Sequence, residues 1–290
     1  MDTYRIITDS CCDLTQELAD ELRLIVAPLY VNYKGGSYPN LLDGSGLNVK
    51  EFYNGLRAGE NATTNAVNPS QWKEITEPVL RHGQDALILA FSSGLSTTYN
   101  SACIAAQELM EEYPDRKVCV VDTLCASQGQ GMMCWYVVKK QREGATLEEA
   151  RDYAEEIKPN MAHWFTVNDL FHLKRGGRVS AATAVVGTML QIKPVLHVDD
   201  EGHLISVSKA RGRKGALEAI AAKVGEDAIE PEKQTMFIVH GDCLEEAQFV
   251  ESILKEKYHV PEVHINYVGP VIGSHAGPGV LALFFLGKHR

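Results

Sequence analysis

Hydrophobic positions along the chain follow two alternating rhythms. A β-branched run from Tyr4 to Thr8 ends in Asp9-Ser10, and the Asp13-Leu-Thr-Gln16 box beyond it fits a helix N-terminus, which predicts strand, loop and helix. The grammar then repeats. Leu24 to Tyr33 reads as strand, Val49 to Gly59 as helix, and Asn68-Pro69 as a cap with proline at the first helical position. Asp85 to Phe91 is a near-continuous apolar run, the mark of a strand covered on both faces. It leads through Ser92-Ser93-Gly94-Leu95-Ser96 into a helix ending near Tyr113-Pro114; Val118 to Val121 is the next strand, with a helix from about Ser127. Strands alternating with helices through short connections predict a parallel sheet flanked by helices.

After Thr146-Leu-Glu-Glu149, a second capping box opening a helix to about Lys158, the rhythm changes. Val195 to Val198 and Leu204 to Val207 flank Asp199-Asp-Glu-Gly-His203, which reads as a β-hairpin. Met236 to His240, His264 to Tyr267 and Val280 to Leu286 supply further strands, with a helix from about Glu245 to Lys257 between the first two. The second half is therefore mixed. A boundary near Lys158-Pro159 divides the chain into a parallel-sheet α/β domain, 1–158, and a mixed-sheet α/β domain, 159–290. No internal repeat is visible, which disfavours a solenoid.

A chain of 290 residues with 45% hydrophobic content buries about 75% of the surface its unfolded form exposes, so packing alone can hold its core. The charge balance, 28 − 38 = −10, argues against sequence-independent nucleic-acid binding and against a polybasic membrane anchor. The N-terminus lacks the features of a secretory signal, and no window reaches the roughly 18 apolar residues of a membrane span. A cytoplasmic protein without membrane insertion is expected. The 7 cysteines are scattered, with no Cys-x-x-Cys pair or zinc spacing; free thiols and no metal are expected.

In an open parallel sheet, ligands bind beyond the carboxyl ends of the strands. The residues there are hydroxyls: Thr8, Ser10, Ser92, Ser93, Ser96 and Thr123, joined by Thr63 and Thr64 before a predicted helix start. Hydroxyls and helix-start amides suit a carboxylate or phosphate oxygen, although each serine or threonine alone also makes an ordinary helix cap. The serine loop lacks the Gly-x-Ser-x-Gly order of a nucleophile elbow. A serine-dependent acyl hydrolase would require Ser93, His275 as base, and Asp9 or Asp122 as orienter. Lys174-Arg-Gly-Gly-Arg178 lacks Walker spacing, so an intrinsic nucleotide site is unsupported. It forms, with Lys209-Ala-Arg211-Gly-Arg213-Lys214, a basic concentration suited to a phosphoryl group or to a solvated surface. Ile272 to Gly279 gathers three glycines and a proline around His275 and predicts a loop with constrained backbone. The remaining histidines, His163 and His197 among them, show no ligand spacing.

Several segments in this order resemble the DegV family of bacterial fatty-acid-binding proteins, which includes the acyl-binding subunit of fatty acid kinase. They are Ile7-Thr-Asp-Ser10 with Asp13-Leu14, Ala62-Thr-Thr64 with Pro69, Ser92-Ser-Gly-Leu-Ser96 with Thr98-Tyr99, and Val121-Asp-Thr123. Leu173-Lys-Arg-Gly-Gly-Arg-Val-Ser180, Ile192-Lys-Pro194 with Asp199 to Gly202, and Ile272 to Gly279 complete the set. The resemblance spans the whole chain. It implies a two-domain α/β protein holding one long-chain fatty acid between its domains, with the carboxylate on Thr64, Ser93 and His275. Thr63, Ser96, Ser10, Gly94 and Gly277 are expected around that pocket, and Arg175, Arg178 and Arg211 are expected to steady a phosphate or dock a partner. The implied role is non-catalytic and needs no cofactor: the fatty acid is presented to a separate ATP-dependent kinase and carried as acyl-phosphate. A lipid sensor with another partner would share the pocket.

The energetics agree with that role, since a saturated tail gains roughly 0.8 kcal/mol per buried CH₂ and binds without a charged anchor. The chain departs from the family pattern at Asn65-Ala66, Thr97 and Cys11-Cys12, changes expected to reshape the pocket mouth.

Overall fold

The computed structural model of the protein describes residues 3–179 and 191–290. Its first elements are β1 (Tyr4–Asp9), α1 (Gln16–Glu21), β2 (Ile25–Ala27), β3 (Tyr30–Tyr33), β4 (Gly36–Pro39), α2 (Val49–Arg57), β5 (Ala62–Asn65) and α3 (Pro69–Arg81). There follow β6 (Asp85–Ala90), α4 (Thr98–Glu112), β7 (Val118–Asp122), α5 (Gln128–Arg142) and α6 (Leu147–Ile157). Beyond these lie β8 (Met161–Thr166), α7 (Phe171–Arg175), β9 (Ile192–Val198), β10 (Leu204–Arg211), α8 (Gly212–Asp227) and β11 (Thr235–His240). The chain closes with α9 (Leu244–Tyr258), β12 (Glu262–Tyr267), α10 (Pro270–Ala276) and β13 (Leu281–Leu286). Ser180, the end of the Arg-Gly-Gly-Arg segment, falls outside the described residues.

The fold is α/β, with a parallel sheet and a separate mixed sheet. Four strands in the order β2-β1-β6-β7 pair in parallel throughout. Central β6 is the apolar run of the sequence and is buried from Ala86 to Ala90. Six strands in the order β10-β9-β8-β13-β11-β12 form the mixed sheet, parallel only between β11 and β12. One face of it packs Met236, Ile238 and Leu283 on Ile220 and Val224 of α8 and Val250 of α9. Helix α5 lies between the sheets, touching β1 and β6 as well as β8, β11 and β13. It is buried without interruption from Gln128 to Cys134, as a helix with core on every side must be.

The structure corrects several sequence expectations. Leu24 to Tyr33 is not one strand: Pro28 cannot donate to a ladder, and the Leu29 N–H is taken by Ser10 Oγ at 3.0 Å. The chain turns there, and β3 joins β4 and β5 in a third, antiparallel sheet. Helix α1 is capped by Thr15, whose hydroxyl accepts from Leu18 N–H, while Asp13 is left-handed with φ 48°. Thr63 and Thr64 lie in β5 rather than before a helix start. Most of the glycine-rich segment expected as loop is helix α10, entered through Gly269-Pro270 and ended at Gly277, where φ is +76°.

Candidate ligand-binding site

A cavity of about 440 Å³ lies beyond the carboxyl ends of β6 and β7, against the inner face of the mixed sheet. That volume falls in the range of small-molecule sites. Side chains two residues apart build its floor: His163 and Phe165 on β8, Ala282 and Phe284 on β13. Ladder register sets them opposite each other, Phe165 against Ala282 and His163 against Phe284, with Val239 of β11 beside Ala282. Phe91, Leu95 and Ala126 enter from the ends of the parallel strands, and Val271, Ile272 and Ala276 from α10. Among the described lining residues the one permanent charge is Arg178.

At the polar end, strand alternation decides which threonine is useful. In β5 Thr64 stands opposite buried Val31, whereas Thr63 stands opposite Asn32. Thr63 therefore faces out, accepting from Asn32 Nδ2 at 3.3 Å. Thr64 turns inward to His275, on the last turn of α10, with Oγ1 2.8 Å from Nε2. Which atom donates depends on the tautomer. The other ring nitrogen, Nδ1, is buried with no hydrogen-bond partner among the described residues, and a Cβ on Gly176 would come within 2.2 Å of it. Burial, followed by the charges of Arg178 and Arg175, lowers the His275 pKa to about 4. The ring is neutral at physiological pH.

Ser93 and Ser96 bring the serine loop into the same cavity. The loop is held by its neighbours: Ser93 N–H donates to Asp122 Oδ1 at 3.1 Å, Ser92 Oγ to the Gly202 carbonyl at 3.0 Å, and Arg178 Nε to the Leu95 carbonyl at 3.2 Å. The β9–β10 hairpin turn thus packs directly on it. Gly94 has no room for a side chain, because a Cβ would meet the Glu201 carbonyl oxygen at 2.8 Å.

The structure brings Thr64, Ser93, Ser96, His275 and Arg178 to one cavity and separates the other candidates from it. Ser10 is buried and spent on Leu29 N–H and Asn40 Nδ2. Gly94 and Gly277 shape backbone beside the site, Gly277 against His172. Exposed Arg175 bonds to Asn61 and stands over Phe171, and exposed Arg211 stands just before α8, outside the cavity lining. Of the family departures, Ala66 and Thr97 reach the lining, while Cys11 and Cys12 are core residues.

Sequence reasoning missed three polar lining residues, Asn100, Ser127 and His163. His163 pairs Nδ1 with the Met161 carbonyl at 2.6 Å, and Ala126 N–H donates to its Nε2, so burial keeps it neutral. Its alternation with Phe165 was the available signal. Among the described residues no group of three or more side chains could hold a metal, and no helix is long and apolar enough to cross a membrane. The hydrolase arrangement is also not formed. Asp9 bonds to Cys11, Phe91 and Gln130, and Asp122 to Ser93 and Leu124, so neither orients His275.

Residues 3–288 match a family model described as an uncharacterised protein of the DegV family. A DegV domain-containing protein of Clostridium perfringens is 42% identical over 290 residues, covering 100% of this chain and 99% of the relative. A solved DegV family protein from Thermus thermophilus, described for its fatty acid binding, has TM-score 0.87 and 30% identity, covering 98% of this chain and 99% of its own. DegV of Bacillus subtilis, a fatty acid binding protein, has TM-score 0.86 and 28% identity, covering 99% and 100%. A match from end to end of the described fold, in sequence and in structure, makes this chain a member of the DegV family.

Proposed function

We propose that this protein binds one long-chain fatty acid in the cavity, presents its carboxylate to a separate ATP-dependent kinase, and carries the acyl-phosphate product. The observation that carries the reading is one cavity with an apolar floor and a polar end of hydroxyls and a neutral imidazole. Fatty acid binding by the Thermus thermophilus and Bacillus subtilis relatives supports the same ligand class. Thr64, Ser93 and His275 would hold the carboxylate by hydrogen bonds alone. Arg178 adds a positive charge on the cavity wall, but its Nε and Nη1 are directed to the Leu95 and Gly176 carbonyls. A carboxylate held by neutral donors keeps more of its nucleophilicity than one locked in a bidentate arginine pair.

Exposed Ser93 and half-buried Thr64 set the polar end near the surface, where a partner's phosphoryl donor can reach. Arg175 and Arg211 are then surface residues for partner docking. The two parts of the chain, 1–158 and 159–290, act in this reading as domains closing on the ligand, and the free thiols suit a cytoplasmic setting. Against ester hydrolysis stand the low basicity of His275 and, among the described residues, the lack of a carboxylate acting on it. Incubation with a long-chain fatty acid, ATP and a cognate fatty acid kinase tests the role. Acyl-phosphate formed only when this protein is present is expected; ester hydrolysis by the protein alone that disappears in Ser93→Ala would contradict it.

A further inference from the structure

The segment from Asp9 to Asp13 carries two carboxylates, 0% and 3% exposed, and neither forms an ion pair among the described residues. Burying a carboxylate without a cation is costly, so the groups that receive it indicate what it does. Asp9 accepts Cys11 N–H on Oδ1 at 3.0 Å, and Phe91 N–H and Gln130 Nε2 on Oδ2 at 2.8 and 3.0 Å. Phe91 is the residue from which the Ser92-Ser93 loop departs. Asp13 accepts Gly269 N–H on Oδ1 at 3.0 Å and the Ser127 hydroxyl on Oδ2 at 2.5 Å. Gly269 is the residue from which α10, the helix of His275, departs.

The contacts are close and specific. A Cβ on Gly269 would stand 2.7 Å from Asp13 Oδ1, so a glycine is what allows that approach. Asp13 is itself fixed: its carbonyl accepts from Asn266 and Gln128 side chains, and its φ is 48°. We propose that Asp9 and Asp13 are positioning residues for the carboxylate end of the cavity. One holds the root of the serine loop and the other the start of α10, so a single short segment sets Ser93 relative to the Thr64–His275 pair. The proposal rests on the fatty-acid reading above.

The charged state of this pair is sensitive to pH. Burial raises Asp9 to about 6 and Asp13 to about 7. The titratable groups facing them, besides each other, are Cys11, Cys12, Cys134 and Tyr53, whose values burial pushes upward, so these four are uncharged at neutral pH. Opening that bares either carboxyl to water returns it toward its ordinary value of 3.8, so the closed arrangement is favoured as pH falls.

The test uses full-length Asp9→Asn and Asp13→Asn variants. Their affinities are measured for a saturated C16 acid and for the corresponding primary alcohol, with amide hydrogen exchange recorded on the ligand-free protein. Acid affinity falls about tenfold, alcohol affinity stays within about twofold, and exchange accelerates locally, at Phe91 to Ser93 or at Gly269 to Gly273 respectively. Equal losses for acid and alcohol, or acceleration spread over the chain, overturn the proposal and leave a purely structural role. If a variant does not fold, the wild type decides. Its Gly269 and Phe91 amides, corrected for intrinsic exchange, gain protection as pH falls from 8 to 5, because opening that bares the two carboxyls releases their protons, and unchanged protection overturns the proposal. A wild type that binds neither acid nor alcohol removes the fatty-acid reading, while the exchange pattern still decides whether the two carboxylates hold these segments.

Discussion

Thr64 Oγ1 and His275 Nε2 lie 2.8 Å apart although 211 positions separate them in the chain. A strand of the small antiparallel sheet supplies one and a helix leading into the mixed sheet supplies the other. Thr64→Val keeps the shape and removes the hydroxyl. Losing a hydrogen bond to a charged group costs about 1.5–3 kcal/mol, so calorimetry with a long-chain fatty acid is expected to show affinity reduced by one to two orders of magnitude. Thr63→Val is the matched control. Because Thr63 faces outward, it changes affinity little; equal effects at the two positions would contradict the strand alternation.

Gly176→Ala examines the opposite side of the ring. The backbone at Gly176 is right-handed helical, with φ −73°, so alanine is permitted there, but its Cβ would come within 2.2 Å of His275 Nδ1. The ring must shift. Weaker fatty acid binding with a melting temperature near that of the wild type is expected, and undiminished affinity would show that the ring's place is not critical.

His275 is depressed from 6.5 to about 4 by burial and two nearby arginines. Its unfolded form takes up a proton first as pH falls, so its contribution to stability is complete above 6.5 and is lost between 6.5 and about 4. Asp9 and Asp13 work in the opposite direction, since their raised values favour the folded state at lower pH. Comparing wild type with His275→Gln isolates the histidine: the variant loses less stability between pH 6.5 and 4. Proton NMR of the imidazole in the wild type should show no titration above pH 5, and a midpoint near 6.5 would contradict this.

Much of the fold is legible in the sequence because the apolar rhythm is strong. The run from Asp85 to Phe91 is β6, the Asn68-Pro69 and Thr146 caps open α3 and α6, and the link from Asp199 to His203 is a hairpin turn. Boundaries failed where one residue redirects the chain, as Pro28 does between β2 and β3. The site was legible as hydroxyls at strand ends, yet periodicity gave no way to separate Thr64 from Thr63 until β5 was recognised as a strand. The basic candidates parted for a similar reason. Arg178 folds back to two carbonyls at the cavity wall, while Arg175 and Arg211 remain at the surface, a difference that depends on long-range packing.

Ala282 lies on the cavity floor between Phe165 and Val239 in ladder register. A larger side chain there extends into the cavity rather than into the layer packed on α8 and α9. Ala282→Phe is expected to fold, to exclude long acyl chains, and to retain shorter ones better; a uniform loss at every chain length would contradict the assignment of the floor to the tail.

The central claim is that this cavity holds a long-chain fatty acid. The most direct measurement is mass spectrometry of the purified protein, first in native buffer and then in denaturing solvent, followed by titration of the emptied protein with the acid that is released. One long-chain carboxylic acid per chain, lost on denaturation and taken up again on titration, is the predicted result. A protein that carries no such acid and takes none up when long-chain acids are supplied would contradict it.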